Sequence, residues 1–388
     1  MISSNQLNES VPVCSDYVKP GKNIGLVFSM YMQRGQFTIS ERISNITGGR
    51  RLIILGFFLL LVFGPASAQV IHGRVVEDGT LKPIPYATIY IEGTFIATYS
   101  DTGGNFTLDI SGGRSMPLTV SALGFFSTKL SINDSDQALE VKLKPKSFIL
   151  KEIVVTGSEN KKARKRNIRL FKSVFLGETY NASKCTIVNE DDILFMTSSN
   201  GDTLKAFTDK PIIIKNSALG YTVTYFLDYF KYNIPEMLFD MKGNILFTED
   251  IDVKEGEKIA LEKKRRAAYL GSRMHFFRAL YDNKLAEEGF EIRDSLIVLD
   301  YEAATGIPDS LNNGSRPKFV LPGKTVPDRH YVTYKSRMLG SVMVILGKYF
   351  MFNSNGFYEG SSVIWEGEMA KQRIGDWLPY EYKPGDSR

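Results

Sequence analysis

Three histidines and two cysteines are the side chains of this sequence best suited to chemistry at neutral pH: His72, His275, His330, Cys14 and Cys185. Metal-assisted hydrolysis needs histidine and carboxylate ligands at short fixed spacing, with a carboxylate base beside them. None of the three histidines begins an H-x-x-E or H-E-x-x-H pattern, and His72 sits inside an extended apolar run. A serine nucleophile on a strand-to-helix elbow would read G-x-S-x-G, and no such pentapeptide occurs. Thiol catalysis would pair Cys185 with a base such as His275 and leave the sulfur partly exposed. Cys185 instead adjoins Thr186-Ile187-Val188, a β-type run that favours burial as a small hydrophobe. His275 falls off the main apolar stripe of a helical segment, and His330 falls in a loop leading to a strand. A hydrolytic site would have to join one of them to carboxylates such as Asp191, Asp192 or Glu287. The sequence therefore predicts no catalytic, cofactor-binding or metal-binding residues.

The elements that would position these groups differ between the two parts of the chain. From residue 69 to 157 come seven short β-type runs at a spacing of about 8–12 residues. They are Val70–Val76, Tyr86–Ile91, Phe95–Tyr99, Phe106–Ile110, Leu118–Ala122, Phe126–Ile132 and Leu139–Leu143, parted by Gly, Asp, Asn and Ser. Alternation is clearest in Leu139-Glu140-Val141-Lys142-Leu143, which sends apolar groups to one face and charges to the other. The pattern predicts an antiparallel sandwich with one wet face per sheet. Residues 158–172 carry a basic run, expected as a linker or a first helical turn that could touch anionic headgroups. Residues 173–388 predict an α+β domain. Ile187-Val188, Ile193–Phe195, Leu204–Phe207, Pro211–Ile214 and Tyr221–Leu227 read as strands of an antiparallel sheet. Gly256 to about Glu288 reads as one long helix, with Leu270, Met274, Phe277 and Leu280/Tyr281 on a single stripe. Lys263–Arg266 reads as its solvated face.

Residues 50–68 have the order of an export signal: Arg50-Arg51, the apolar run Leu52–Phe63, Gly64-Pro65, and Ala66-Ser67-Ala68. Cleavage is expected after Ala68, which would remove Cys14 and leave Cys185 without a disulfide partner. An uncleaved anchor in the inner membrane is the alternative. Residues 1–49 are polar and aperiodic, and are expected to reflect a start assigned too far upstream or a disordered tail. The 388 residues carry a net charge of +5. Residues 69–388 hold 42 basic against 40 acidic groups, a balance that argues against nucleic acid as a partner.

Four ordered anchors carry a resemblance: Gly73-Arg74-Val75-Val76, Pro85–Ile89, Thr98–Phe106 and Val120–Phe125. They are similar to the carboxypeptidase-regulatory-like domain of Bacteroidetes envelope proteins, the type found before TonB-dependent receptors. The resemblance implies a Greek-key, transthyretin-like sandwich. It extends to the accessory module and not to a zinc peptidase. Phe148–Gly157 resembles the strand joining such modules to a receptor plug, yet the roughly 230 residues that follow cannot supply a large barrel of 22 strands. Phe175–Thr179, Asn216–Tyr221, Arg266–Arg278 and Trp377–Tyr382 resemble the C-terminal region of a Bacteroidetes group named only for its regulatory-like module, so no activity is implied there.

The expected function is that of an exported, non-enzymatic binding or accessory protein of the periplasm, outer membrane or cell surface. Its expected partners are an outer-membrane protein, a glycan or peptidoglycan. The alternatives are an envelope hydrolase with its site in residues 173–388, or an accessory of TonB-dependent uptake.

Overall fold

A computed structural model describes residues 70–110, 116–130, 138–146, 160–250, 255–294, 296–300, 317–323, 325–335 and 340–385. The leader, the stretch before it and the joint at 148–157 lie outside the described residues. All seven predicted runs of the first part are strands: β1 (Val70–Glu77), β2 (Thr88–Ile91), β3 (Ala97–Tyr99), β4 (Asn105–Asp109), β5 (Leu118–Ser121), β6 (Thr128–Leu130) and β7 (Leu139–Leu143). They form two sheets, ordered β4-β1-β7 and β3-β2-β5-β6, around a core that includes Val75, Ile89, Phe106, Val120 and Leu143.

Two features depart from the expectation. β1 and β7 pair in parallel, so the sandwich is not wholly antiparallel. Nor does each sheet keep a wet face. β4 and β7 alternate between exposed and buried residues, but all four residues of β5 are buried, Thr119 and Ser121 included. Alternation reports which side chains share a face, not what covers that face, and the outer face here is covered by the second part of the chain. Tyr90 stacks on Phe226 at 5.0 Å, and its hydroxyl meets Ser121 Oγ at 3.1 Å.

The second part begins with helix α1 (Lys161–Leu176), capped by the Asn160 side chain, which accepts from the Lys162 amide. The basic run is thus the first half of a helix, while Phe171 and Phe175 on its other side are fully buried. A short helix α2 (Tyr180–Ser183) and strands β8 (Cys185–Ile187), β9 (Leu194–Thr197), β10 (Thr203–Phe207), β11 (Ile212–Asn216), β12 (Tyr221–Asn233) and β13 (Leu238–Glu249) follow. Their six-stranded antiparallel sheet centres on β12, with β11 and β10 along one edge and β13 along the other. Along β12 the buried positions are Tyr221, Val223, Tyr225 and Leu227; after an irregularity between Leu227 and Tyr229 the next is Phe230. An extra residue at this bulge, Asp228, restores the core face beyond it.

The single helix expected over 256–288 is two helices, α3 (Glu255–Tyr269) and α4 (Arg273–Tyr281). Gly271 at φ +77 ends the first, and Ser272 caps the second by accepting from the His275 amide. Of the predicted stripe, Phe277 and Leu280 are buried, and Phe276, which the stripe omitted, is buried with them. Nor is the Lys263–Arg266 run wholly solvated. Lys263 and Lys264 are exposed, whereas Arg265 donates to the carbonyls of Leu219 and Gly220, and Arg266 to that of Gly385.

The remaining strands are β14 (Phe290–Arg293), β15 (Ile297–Asp300), β16 (Lys318–Leu321), β17 (Asp328–Tyr334), β18 (Ser341–Ile345), β19 (Phe350–Phe352) and β20 (Val363–Gly367). They build two further sheets, β14-β17-β18-β20 and β15-β16-β19, whose apolar faces enclose Phe276 and Phe277. The architecture is mainly β, with an α+β second part, as expected.

A C-terminal strap joins the three cores. Leu378 and Tyr382 belong to the core of the six-stranded sheet, while Tyr380 packs on the sandwich core beside Phe357. The Tyr380 amide donates to the Gly93 carbonyl at 2.8 Å, and the Phe95 amide to Glu381 Oε1 at 2.8 Å. Gly93 itself donates to Ile245 in β13. It sits at φ +73, and an added Cβ would lie 2.6 Å from the Tyr380 ring. Arg278 of α4 then donates to the carbonyls of Tyr380 at 3.0 Å, Tyr382 at 2.8 Å and Asn355 at 3.0 Å.

Arg278→Ala removes three charge-assisted donors and strands three part-buried carbonyls. It is expected to lower unfolding free energy by about 2–4 kcal/mol in a denaturant titration, and Arg278→Lys to recover only part of that loss because an ammonium cannot span the same fork. Equal stability of the alanine variant would show that the strap is held without the Arg278 bonds.

Candidate functional site

The residues singled out for chemistry are dispersed, and most are engaged by local partners. Cys185 lies in β8, half buried, with Sγ donating to the Asn181 carbonyl at 3.5 Å. Burial, with the nearby Asp376 charge, pushes its thiol up to about 12, so almost no thiolate exists at neutral pH. His275 is 2 % exposed and boxed in by Tyr269, Phe290 and Tyr334. The Gly271 amide donates to its Nδ1 at 3.1 Å, and its Nε2 lies 3.0 Å from Glu288 Oε2. An Nδ1 that accepts must be unprotonated, so the ring is neutral with its hydrogen on Nε2. Cys185 and His275 therefore each serve a different partner.

His330 is not in a loop; it lies within β17 at 4 % exposure, with Nε2 3.0 Å from Asp328 Oδ2. The Gly323 amide also donates to Asp328, and these bonds hold that carboxyl below its ordinary range. His72 faces outward on β1, its Nδ1 2.9 Å from Thr107 Oγ1. Asp192 pairs with Lys210 at 2.8 Å, Asp191 reaches Arg164 at 3.7 Å, and Glu287 is exposed. The carboxylate that meets His275 is thus Glu288, not Glu287.

A concave feature sits elsewhere, against strands β17 and β18 of the four-stranded sheet. A groove of about 480 Å³ runs between α2, the α3–α4 break, β17–β18 and a short helix α5 (Glu368–Lys371). That volume falls in the range of sites for small ligands. Ala267, Ala268 and Leu270 supply an apolar wall, and Thr179, Asn181 and Asp376 a polar floor. Thr179 Oγ1 donates to the Asp376 carboxylate at 2.9 Å and Asn181 Nδ2 at 3.0 Å. Burial nevertheless raises the Asp376 carboxyl above its ordinary value. Tyr180 is 64 % exposed and lines the groove, as do Lys264 and Gln372. Gln372 donates or accepts no side-chain hydrogen bond among the described residues. Glu368, also on the wall, accepts from Lys371 at 2.5 Å.

None of this was legible in advance. Thr179 and Asn181 lie nearly two hundred residues from Asp376, and no spacing rule joins them. The one local signal was Thr179 before Tyr-Asn-Ala, the start of a capped helix. Among the described residues no cluster of three His, Cys, Asp or Glu side chains could hold a metal ion, and no helix is long and apolar enough to cross a membrane.

Residues 71–155 match the CarboxypepD_reg-like domain family, which marks that stretch as an accessory or binding module. No curated protein matches the chain. Among solved structures, a 9R-lipoxygenase from Cyanothece PCC8801 shares 12 % identity over 60 % of this chain and 52 % of its own. The chain thus spans about half the lipoxygenase's length, and the TM-score is 0.18.

Two measurements check the buried groups. In the native protein Cys185 is expected to react with a maleimide at least about a hundredfold more slowly at pH 7.5 than after denaturation, because its raised pKa starves it of thiolate; equal rates would contradict the burial. His275 has a folded pKa depressed first by desolvation, against the Glu288 attraction. The unfolded chain thus binds the extra proton first, and stability is expected to fall as pH drops below about 6.5. The difference between wild type and His275→Gln isolates this component: a gap that stays constant from pH 8 to pH 5 would refute it.

Proposed function

We propose that this protein is an exported, non-enzymatic binding protein of the cell envelope, and that the groove floored by Thr179, Asn181 and Asp376 receives a glycan. Three lines support the proposal. The order of basic, apolar and small residues over 50–68 is that of a cleavable export signal. Residues 71–155 match a module of accessory type. The groove has an apolar wall, an exposed tyrosine, and planar amide and carboxylate groups. A sugar ring needs that combination: one C–H face to lie on apolar or aromatic surface, and a rim of hydroxyls that both donate and accept. A concavity of about 480 Å³ suits one or two sugar units better than the flat face of an outer-membrane protein. The single observation that carries the reading is this groove, taken with the structural employment of Cys185, His275 and His330.

A second reading is favoured by one specific feature. Glu368 and Asp376 line the same groove, and burial raises the Asp376 carboxyl. A carboxyl that burial makes a weaker acid, lining the same groove as a second carboxylate, is the kind of pair a glycoside hydrolase uses. Against it, Asp376 already accepts from Thr179 and Asn181, and Glu368 from Lys371. A third possibility, service to TonB-dependent uptake, rests on Ile153–Gly157, outside the described residues.

Ala267→Trp fills the groove from an exposed position and is expected to abolish binding of peptidoglycan-derived or other cell-wall oligosaccharides while leaving the melting temperature within a few degrees. Binding unchanged by that substitution would move the glycan site elsewhere. Release of new reducing ends from the same oligosaccharides, lost in Asp376→Asn, would establish the hydrolase in place of the binding protein. Recovery of the intact N-terminus from a cytoplasmic fraction would defeat the exported assignment.

A further inference from the structure

We infer that the outward face of α1 is a docking surface for an anionic phospholipid bilayer. The helix holds seven basic residues and no acidic one between Asn160 and Gly177. Two of the seven are employed within the fold. Arg164 donates to the carbonyls of Ile193 and Glu190 at 3.0 and 2.8 Å, and Lys172 pairs with the Glu190 carboxylate. The other five, Lys161, Lys162, Lys165, Arg166 and Arg169, are exposed and meet no counter-charge among the described residues. At 100° per residue they span an arc of about 140°, on the side away from the buried Asn167, Phe171 and Phe175.

Their placement works against the helix that carries them. The first turn contains no acidic residue, and the last turn no basic one. Cations crowded at the positive end of the macrodipole, with none at the negative end, reverse the arrangement that stabilises a helix. Mutual repulsion at i, i+3 and i, i+4 adds to the penalty. A stability rationale would put these charges at the other end, so their use is external.

The partner follows from the chemistry of the face. Five long, flexible cations on a convex stripe match a plane of closely spaced negative headgroups, where each basic residue near the surface strengthens binding about fivefold. The exposed arc carries no large apolar side chain to insert, so the attachment is electrostatic and lies at the headgroup level. Nucleic acid fits less well, because no exposed aromatic residue interleaves with these cations to stack on bases. This inference does not depend on what occupies the groove.

The test uses the full chain and vesicles of phosphatidylcholine with or without one third phosphatidylglycerol. Subtracting pure phosphatidylcholine binding removes any contribution of the apolar segment near the N-terminus. The wild type is expected to co-sediment with the anionic vesicles far better than the quadruple variant K162Q/K165Q/R166Q/R169Q, by a factor on the order of a hundred or more in partition coefficient. Raising salt from about 0.1 to about 1 M, which shortens the Debye length from about 10 to about 3 Å, is expected to release it. The double variant K263Q/K284Q, at two exposed lysines outside α1 and outside the groove, should bind like wild type. All these positions are exposed, so loss of folding does not confuse the result, and circular dichroism checks it. Equal binding by wild type and quadruple variant overturns the inference. So does tighter binding of a short DNA duplex than of the anionic vesicles.

Discussion

Arg278 is the point through which the parts of this molecule are tied together. The strap Trp377–Tyr382 has no neighbouring strand, so its carbonyls need donors from elsewhere if they are to be taken out of water. One guanidinium, with five N–H groups in a fixed plane, supplies them to Tyr380, Tyr382 and Asn355 at once. Because Arg278 rides on α4, whose Phe276 and Phe277 lie in the third core, the strap is fixed to that core. Its own side chains then reach the other two: Leu378 and Tyr382 enter the core of the six-stranded sheet, and Tyr380 packs against the sandwich. The strap thus adds to the apolar contacts, such as Tyr90 on Phe226 and Phe357 in the sandwich core, that place the three hydrophobic clusters.

That arrangement explains why the sandwich looks incomplete on its own. Its core includes Phe357, with Met351 and Tyr380 packed on it from far along the chain. Its β2–β3 turn exchanges backbone hydrogen bonds with β13 through Gly93, Thr94, Ile245 and Phe247. At the opposite corner, Lys146 donates to the Leu227 carbonyl at 3.1 Å, beside the bulge that carries Asp228. Burial pushes the lysine down and the aspartate up, the direction expected when two charges are drawn into a seam with little water. An accessory module held this firmly acts as a wall of the larger body.

The residues most able to do chemistry are used in the same spirit. The neutral tautomer of His275 ties the α3–α4 break to Glu288, His330 anchors the Asp328 turn, and Cys185 backs onto α2. These roles leave the groove between α2, α3, β17–β18 and α5 as a concave surface with polar groups to offer, and the outer face of α1 as a charged one. The two lie on separate elements.

The local order of the chain was legible from residues alone. Period-2 alternation and turn residues located all seven strands of the sandwich and the first five of the second part, since both signals act within a few residues. The anchors from Gly73 to Phe125 pointed to the sandwich's connectivity by resemblance. What failed did so where distant residues decide. Thr119 and Ser121 look like a wet face, yet both are buried in the folded chain. The helix through 256–288 keeps its apolar stripe on both sides of Gly271, so periodicity alone ran across the break. His330, expected in a loop leading to a strand, is a buried strand residue once β18 pairs alongside. The groove is the extreme case: its floor joins residues 179, 181 and 376, and only the closing of the strap brings them together. Side-chain period and turn chemistry are short-range forces written in neighbouring residues, whereas burial and concavity belong to surfaces that exist only after remote segments have packed.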